Sequence, residues 1–236
     1  MKLYNEDCLV AMDRLIEQGV VVDAIITDPP YKVISGGKPT KKGQPSGLLS
    51  KNDGKIFKHN DLKEEDWFPK IFELLKEGGH CYIMVNTLNL ERYLRLARET
   101  GFKLHNLLVW EKSNCTPNRW YMKNCEYTLF LRKGKANPIK MLGSKTVHKF
   151  KNESNKAHPS EKPLELMSLY VENSTNEGEL VLDFTSGSCT TGVACVNTNR
   201  KGIMIELDDN YFDIGADRVQ KIYDNKRKDN ENKINI

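Results

Sequence analysis

An apolar run that ends in two consecutive prolines is the feature that most restricts the fold of this chain. Residues 24–27 read Ala-Ile-Ile-Thr, and the next four residues are Asp28, Pro29, Pro30 and Tyr31. The run is typical of a buried strand, whereas the prolines fix φ and exclude a helix, so a stiff loop with free carbonyl groups follows. Open α/β sheets bind ligands beyond the carboxyl ends of their strands. We therefore expect an α/β fold with a binding site at this loop.

The residues of this loop suit an exocyclic amine on a nucleobase. The Asp28 carboxylate and the Pro29 carbonyl can each accept one amine N–H, and the Tyr31 ring can stack on the base. Such contacts would draw the amine nitrogen out of the ring plane and free its lone pair for attack on a methyl donor. For so short a match, an ordinary proline turn after a strand is an equal alternative.

A second strand with a turn of small residues lies in the carboxyl-terminal half. Leu180–Asp183 reads as a buried strand, and a glycine-containing turn and a helical segment follow it. Gly187 permits close approach of a ligand, and the helix N-terminus offers free N–H groups. The next strand, 202–206, ends in an acid at the spacing at which Rossmann-like folds hold ribose hydroxyls. Asp183 and Glu206 thus resemble a nucleoside-binding pair, although each could be an ordinary strand-ending acid.

In their order along the chain, these motifs resemble the S-adenosylmethionine-dependent amino-methyltransferases of DNA, in the circularly permuted β class. That class has a D/S/N-P-P-Y motif, then an H-P-x-x-K-P segment, then a D-x-F-x-G-x-G or D-F-T-x-G-x-G cofactor motif. Here residues 158–163 read His-Pro-Ser-Glu-Lys-Pro, and residues 183–189 read Asp-Phe-Thr-Ser-Gly-Ser-Cys. The resemblance implies a Rossmann-like methyltransferase fold with a mostly parallel seven-stranded sheet and an antiparallel edge hairpin.

The resemblance also implies the residues of the site. The catalytic residues would be Asp28, Pro29, Pro30 and Tyr31. S-Adenosyl-L-methionine would be bound by Asp7, Cys8, Lys162, Pro163, Asp183, Phe184, Thr185, Gly187, Ser188, Thr190, Thr191, Glu206 and Leu207. Asp7 would accept from the adenine amino group of the cofactor, and Lys162 and Pro163 would pack against its methionine end.

One residue departs from the family pattern. Cys189 stands where most relatives have the second glycine of the cofactor motif, so its side chain must point away from the cofactor or narrow the approach to it. We expect weaker cofactor binding rather than an inactive site.

Basic residues cluster near the proposed site, although the formal net charge is only +4. A lysine- and glycine-rich stretch at 33–60 predicts a long basic loop that neutralises DNA phosphates, with a merely solvated loop as the alternative. A second basic segment, 133–157, occupies the position of the family's target-recognition region but is short. The predicted DNA contacts are Lys32, Lys38, Lys41, Lys42, Arg119, Lys133 and Lys135.

The resemblance favours the N6 amine of an adenine flipped out of duplex DNA, because relatives whose motif begins with aspartate mostly modify adenine. Cytosine N4 stays open, since the same acceptors could hold either amine. A DNA-binding module that keeps the fold but has little turnover is a third reading. Double-stranded DNA is the expected partner, and a homodimer and a cognate restriction endonuclease are further partners that the residues do not decide.

Length and composition predict a single methyltransferase domain at 1–223 and a disordered tail at 224–236. The six cysteines show no C-x-x-C spacing, so we expect no metal site and no disulfide framework. The lack of a signal peptide or apolar span predicts a cytoplasmic protein. Apolar spacing predicts helices at 8–17, 67–76, 88–100, 164–173 and 208–222, and strands at 80–86, 102–110 and 126–132.

Overall fold

Strands and helices alternate along most of the chain. The computed structural model describes residues 1–30, 62–116, 121–135, 137–151 and 161–234. The strands are β1 (Lys2–Asn5), β2 (Val22–Thr27), β3 (Leu75–Val85), β4 (Lys103–Thr116), β5 (Lys123–Arg132), β6 (Val147–Lys149), β7 (Leu180–Asp183) and β8 (Lys201–Glu206). The helices are α1 (Cys8–Glu17), α2 (Glu64–Leu74), α3 (Leu90–Thr100), α4 (Leu164–Ser174), α5 (Thr190–Asn197) and α6 (Asp209–Ile234). None of these helices is both long and apolar enough to cross a membrane.

The described strands form one mixed sheet in the order β1-β8-β7-β2-β3-β5-β4-β6. The first five in that order run parallel to one another, and β5 is antiparallel to both β3 and β4. This confirms the α/β methyltransferase fold. The sheet has eight strands rather than the predicted seven, because Val147–Lys149 pairs in parallel with β4 along its outer edge. The antiparallel pair therefore lies inside the sheet and not at its edge.

The register places both sequence motifs at the same edge of the sheet. Strands β2 and β7 are neighbours, with Ala24 opposite Val181 and Ile25 opposite Leu182. Because the two strands run parallel, the loops that follow Thr27 and Asp183 leave the sheet on the same side. We call this side the carboxyl edge.

Two apolar layers cover the faces of the sheet. On one face, α1, α2 and α3 pack a cluster that includes the fully buried Trp67 and Phe68, whose rings stack 4.1 Å apart. On the other face, α4, α5 and α6 pack a cluster in which the Tyr82 and Tyr170 rings stack at 4.4 Å. Burial of both faces explains why the central strands read as continuous apolar runs rather than as alternating ones.

Two element boundaries differ from the sequence expectation. Helix α2 ends at Leu74, and the glycine pair 78–79 lies within β3 rather than ending the helix. A Cβ at Gly79 would lie 2.7 Å from Leu75 Cδ1, so the glycine admits a close side-chain contact inside the strand. The predicted disordered tail is wrong for residues 224–234, because α6 continues through Ile234. Lys226 Nζ supports this extension by donating to the Val196 carbonyl at 2.6 Å.

Candidate active site

The loops that carry the two motifs touch each other at the carboxyl edge. The hydroxyl oxygens of Thr27 and Thr185 lie 2.8 Å apart and share a hydrogen bond between the end of β2 and the turn after β7. Lys162, from the segment that precedes α4, forms an ion pair with Asp28. Three segments far apart in the sequence therefore build one site.

Asp28 holds its two carboxylate oxygens in different environments. Oδ2 accepts from Lys162 Nζ, whereas Oδ1 is buried and has no hydrogen-bond partner among the described residues. A buried acceptor without a donor costs free energy, about 1–3 kcal/mol, until a donor arrives. Among the described residues, Oδ1 is therefore available to accept from an N–H group.

The Asp28–Lys162 pair continues into a cluster of charged residues. Lys162, with 7% of its side chain exposed, lies with Nζ 3.3 Å from Glu126 Oε2, and Glu126 also pairs with Lys112. Burial raises the pKa of Asp28, the Lys162 ammonium opposes this rise, and the Glu126 carboxylate adds to it. Burial would also raise the pKa of Glu126, but Lys162 and Lys112 outweigh it and lower that pKa to about 2. Glu126 is therefore a permanent anion at neutral pH.

The turn after β7 is organised by two acids that the sequence singled out. Asp183 is 4% exposed and accepts from Thr185 N–H at 3.2 Å. Burial raises the pKa of Asp183 to about 7, although hydrogen bonds from Thr191 and Thr185 act against the rise. Gly187 has φ 51°, in the left-handed region, and donates its N–H to Glu206 Oε2 at 2.7 Å. The Glu206 carboxylate thus lies against the glycine turn.

The short acidic turn before α1 joins the same site. Asp7 caps α1 by accepting from Leu9 N–H at 2.7 Å, and Asn5 Nδ2 donates to the Glu206 carbonyl at 3.1 Å. Burial raises the pKa of the Cys8 thiol to about 12, and the nearby charges of Asp7 and Glu206 contribute to the rise. Residues predicted to contact the cofactor from the two ends of the chain are therefore brought together.

Cys189 turns its side chain into the protein. It is 2% exposed, has φ 63°, and lies in the apolar layer beneath the turn. Gly215 of α6 makes room for it, since a Cβ there would lie 2.8 Å from Cys189 Cβ, and Gly192 of α5 leaves space for its sulfur in the same way. Of the two expected alternatives, the side chain points away from the site. The left-handed backbone of this non-glycine residue costs about 1–2 kcal/mol.

Several predicted cofactor contacts also face inward. The Phe184 side chain is 1% exposed and packs on Trp67 with ring centroids 5.2 Å apart. Ser188 Oγ and Thr190 Oγ1 accept from Arg218 Nη1 at 2.9 and 3.3 Å. These side chains support the turn from inside, so any contact of the three residues with a cofactor would come from their backbone.

Four charged residues of the site escaped the sequence analysis. Arg218 of α6 pairs with Glu161 at 2.6 Å. Because Arg218 also donates to Ser188, it connects the turn after β7 to the segment that carries Lys162. Glu126 and Lys112 complete the charge cluster behind Asp28. Nothing in the local pattern of these residues distinguishes them from ordinary surface charges, because their partners lie far away in the sequence.

Two predicted DNA contacts lie at the opposite edge of the sheet. Lys133 Nζ donates to the carbonyls of Phe72 and Leu75 at 2.6 and 2.7 Å, so it caps the end of α2. Its backbone pairs with Gly78 and Gly79 in the amino-terminal half of β3. These carbonyls occupy the Lys133 ammonium in the structure, and the DNA-binding role of Lys133 stays a prediction. Lys135 is exposed near the same edge, away from Asp28.

Other predicted residues lie outside the described part of the chain. They are Tyr31, Lys32, Lys38, Lys41, Lys42 and Arg119, together with the basic loop 33–60 and residues 158–160. Within the described ranges, no group of His, Cys, Asp or Glu side chains is arranged to hold a metal ion.

The donor and acceptor set fits S-adenosyl-L-methionine. Gly187 has no Cβ and allows a ligand to approach the turn, and the Glu206 carboxylate at the end of β8 is placed to accept from ribose hydroxyls. Asp7 follows Asn5, which is opposite Glu206 in the β1–β8 pair, and offers a further acceptor. Cys189 leaves this approach open because its side chain is buried.

Comparison with known proteins agrees with this geometry. The sequence model N6_N4_Mtase, described as DNA methylase, matches residues 22–217. The Type II methyltransferase M2.MboI of Moraxella bovis is 29% identical over 93% of this chain and 88% of its own length. The Type II methyltransferase M2.DpnII of Streptococcus pneumoniae is also 29% identical, over 93% of this chain and 90% of its own length. The crystal structure of an M1.HpyAVI–SAM complex superposes with a TM-score of 0.72 and 26% identity, over 92% of this chain and 98% of the other. The chain therefore belongs to the N6_N4_Mtase family of DNA methylases, the S-adenosyl-L-methionine-dependent methyltransferases of amino groups in DNA.

Proposed function

We propose that this DNA methyltransferase modifies the N6 amine of adenine in a specific duplex sequence. Asp28 would accept a hydrogen bond from the amine. The observation that carries the proposal is the buried Asp28 Oδ1, which lacks a donor among the described residues and lies beside the cofactor turn. An adenine amine supplies such a donor. Aspartate as the first residue of the motif supports adenine over cytosine by resemblance to the family.

The chain's own residues would bind, orient and accept a proton. When bound, S-adenosyl-L-methionine supplies a methyl group activated on a sulfonium, for transfer to the amine nitrogen. Gly187, Glu206 and Asp7 would hold the nucleoside part of the cofactor. Asp28 Oδ1 and the Pro29 carbonyl would each accept one amine N–H and keep the nitrogen lone pair out of the ring. The methylated nitrogen carries one proton too many, and Asp28 or water takes it.

The target base must leave the duplex before its amine can reach the methyl group. This extrusion costs a few kcal/mol, and stacking on Tyr31 would offset about 1–3 kcal/mol of it. We infer that Lys32 and the loop 33–60, through Lys38, Lys41 and Lys42, supply phosphate contacts.

The long hairpin of β4 and β5 favours the interpretation that DNA binds at the carboxyl edge of the sheet. Strand β3 ends at Val85, which pairs with Tyr127 of β5, and Tyr127 pairs with Val109 of β4. Strand β4 continues to Thr116, so the hairpin extends past the end of β3 on the side where Asp28 lies. Tyr121 beyond the hairpin strands is 96% exposed. This projecting hairpin is where a bound duplex would meet the protein.

The test is the identity of the methylated nucleoside. Genomic DNA from a methylation-free host that expresses this chain is digested to nucleosides and analysed by mass spectrometry. N6-methyladenine is the expected product. N4-methylcytosine instead would support the second candidate, since the same acceptors can hold either amine. DNA binding without any methylated nucleoside would refute the proposal and favour a module with little turnover.

The Type II names of both curated relatives support a role in restriction and modification. We infer a cognate restriction endonuclease that cuts the unmodified sequence, and we retain the homodimer and the cytoplasmic location as predictions. Sedimentation of the purified chain measures whether it forms a homodimer.

A further inference from the structure

Four side chains of alternating charge form a row that ends at Asp28. Lys112 of β4 pairs with Glu126 of β5, Glu126 lies 3.3 Å from Lys162, and Lys162 pairs with Asp28 after β2. Three separate regions of the chain contribute to this row. Its two carboxylates and two ammonium groups balance, so the row can be buried without net charge.

Lys162 occupies the centre of the row and is almost enclosed. Its side chain is 7% exposed, compared with 21% for Asp28 and 29% for Glu126. Charges with little exposure to water interact more strongly than charges in water. Removal of one charge from the row should therefore shift the pKa of its neighbours markedly.

We propose that Lys162 and Glu126 are positioning residues that hold Asp28 as an oriented carboxylate, with Lys162 fixing Oδ2 so that Oδ1 stays directed to the substrate amine. Glu126 lies 3.3 Å from the same ammonium and weakens its effect on the pKa of Asp28. The inference rests on the proposed role of Asp28 in gripping the amine. It adds a function for two side chains that need not touch the substrate.

The row predicts that removal of the Lys162 charge and removal of the Glu126 charge shift the pKa of Asp28 in opposite directions. Among the described residues, the charged groups that face Asp28 are Lys162 and Glu126, followed by Lys112 and Asp183. Removal of the Lys162 charge takes away an attraction and should raise the pKa of Asp28 further. Removal of the Glu126 charge takes away a repulsion and should lower the pKa of Asp28, while glutamine keeps the shape of the side chain.

The first test measures Asp28 directly, without cofactor or DNA. Carbon-13 NMR of labelled aspartate carboxyls follows the titration of Asp28 in the wild type, Lys162→Met and Glu126→Gln. The expected midpoint moves up in Lys162→Met and down in Glu126→Gln, each by about one pH unit, a tenfold change in proton affinity. Glu111→Gln is the matched control, because Glu111 lies on the same hairpin and pairs at 3.1 Å with Lys149, which is 76% exposed. This control should leave the midpoint unchanged.

The second test asks whether catalysis follows the titration. The acid limb of the pH profile of kcat/KM should move in the same opposite directions in the two variants, and Lys162→Arg should restore most of the wild-type profile. Shifts of the same sign in both variants, or no shift in either, would overturn the inference. If Lys162→Met does not fold, an upward or absent shift in Glu126→Gln alone overturns it. A wild type that methylates no DNA would refute the proposed function, whereas the NMR result would still decide the role of the row.

Discussion

The buried carboxyl of Asp183 makes the stability of this protein depend on pH in a way that one substitution should abolish. Burial raises the pKa of Asp183 in the folded protein to about 7, from 3.8 for an aspartate exposed to water. The folded state therefore holds a proton that the unfolded state has released. Stability from this group is fully present below the unfolded pKa, declines as the pH rises, and is lost once the pH passes the folded pKa.

The magnitude follows from the width of that window. One pH unit corresponds to about 1.4 kcal/mol, and the slope falls as Asp183 becomes half ionised near pH 7, so the change from pH 5 to 7 should cost the wild type about 2 kcal/mol. Asp183→Asn stays neutral throughout and can still accept from Thr185 N–H. The free energy of unfolding of Asp183→Asn, minus that of the wild type, should therefore grow by about 2 kcal/mol between pH 5 and 7 and then level off above pH 8.

Urea unfolding of the cofactor-free proteins at several pH values measures this difference. The fluorescence of Trp67 and Trp110 reports the transition, since both side chains are at most 2% exposed. Asp217→Asn on the exposed face of α6 removes the same charge without the burial and serves as the control. A difference that stays constant from pH 5 to 8 in Asp183→Asn would refute the reasoning.

Two further substitutions test how the turn and α2 are supported. Cys189→Gly should leave the affinity for S-adenosyl-L-methionine within about twofold of the wild type, because the Cys189 side chain packs on Gly192 and Gly215 and not in the site. Isothermal titration measures this affinity. Tenfold tighter binding by the variant would show that the thiol narrows the site. Lys133→Met should lower the free energy of unfolding by about 1–2 kcal/mol, because carbonyls at the end of α2 lose a charged donor, while affinity for duplex DNA stays unchanged. Weaker DNA binding with unchanged stability would instead support the DNA-binding role predicted for Lys133.

Elements whose limits depend on local pattern were predictable from the sequence. Leu180–Asp183 and Cys8–Glu17 have the bounds that their apolar spacing predicts. The position of Asp28 at the carboxyl edge followed from the strand before it and from the two prolines after it. These features depend on neighbours in the chain, which a sequence displays directly.

Features that depend on distant partners were not predictable. Lys162 and Asp28 are 134 positions apart, and no periodicity indicates that they pair. Lys133 belongs to a basic segment, yet tertiary structure places it over the last carbonyls of α2. The Gly78–Gly79 pair resembles a helix end, but both glycines hydrogen-bond to the backbone of Lys133, and this pairing makes them part of a strand. In each case a tertiary contact outweighed a correct local tendency.

The role of Asp28 is the central claim, and one variant separates it from cofactor binding. Transfer of tritiated methyl groups to duplex DNA and the Kd for S-adenosyl-L-methionine are measured side by side for the wild type and Asp28→Ala. We predict that Asp28→Ala binds the cofactor with an affinity close to that of the wild type and transfers no detectable methyl. Methyl transfer at the normal rate by Asp28→Ala would contradict the account.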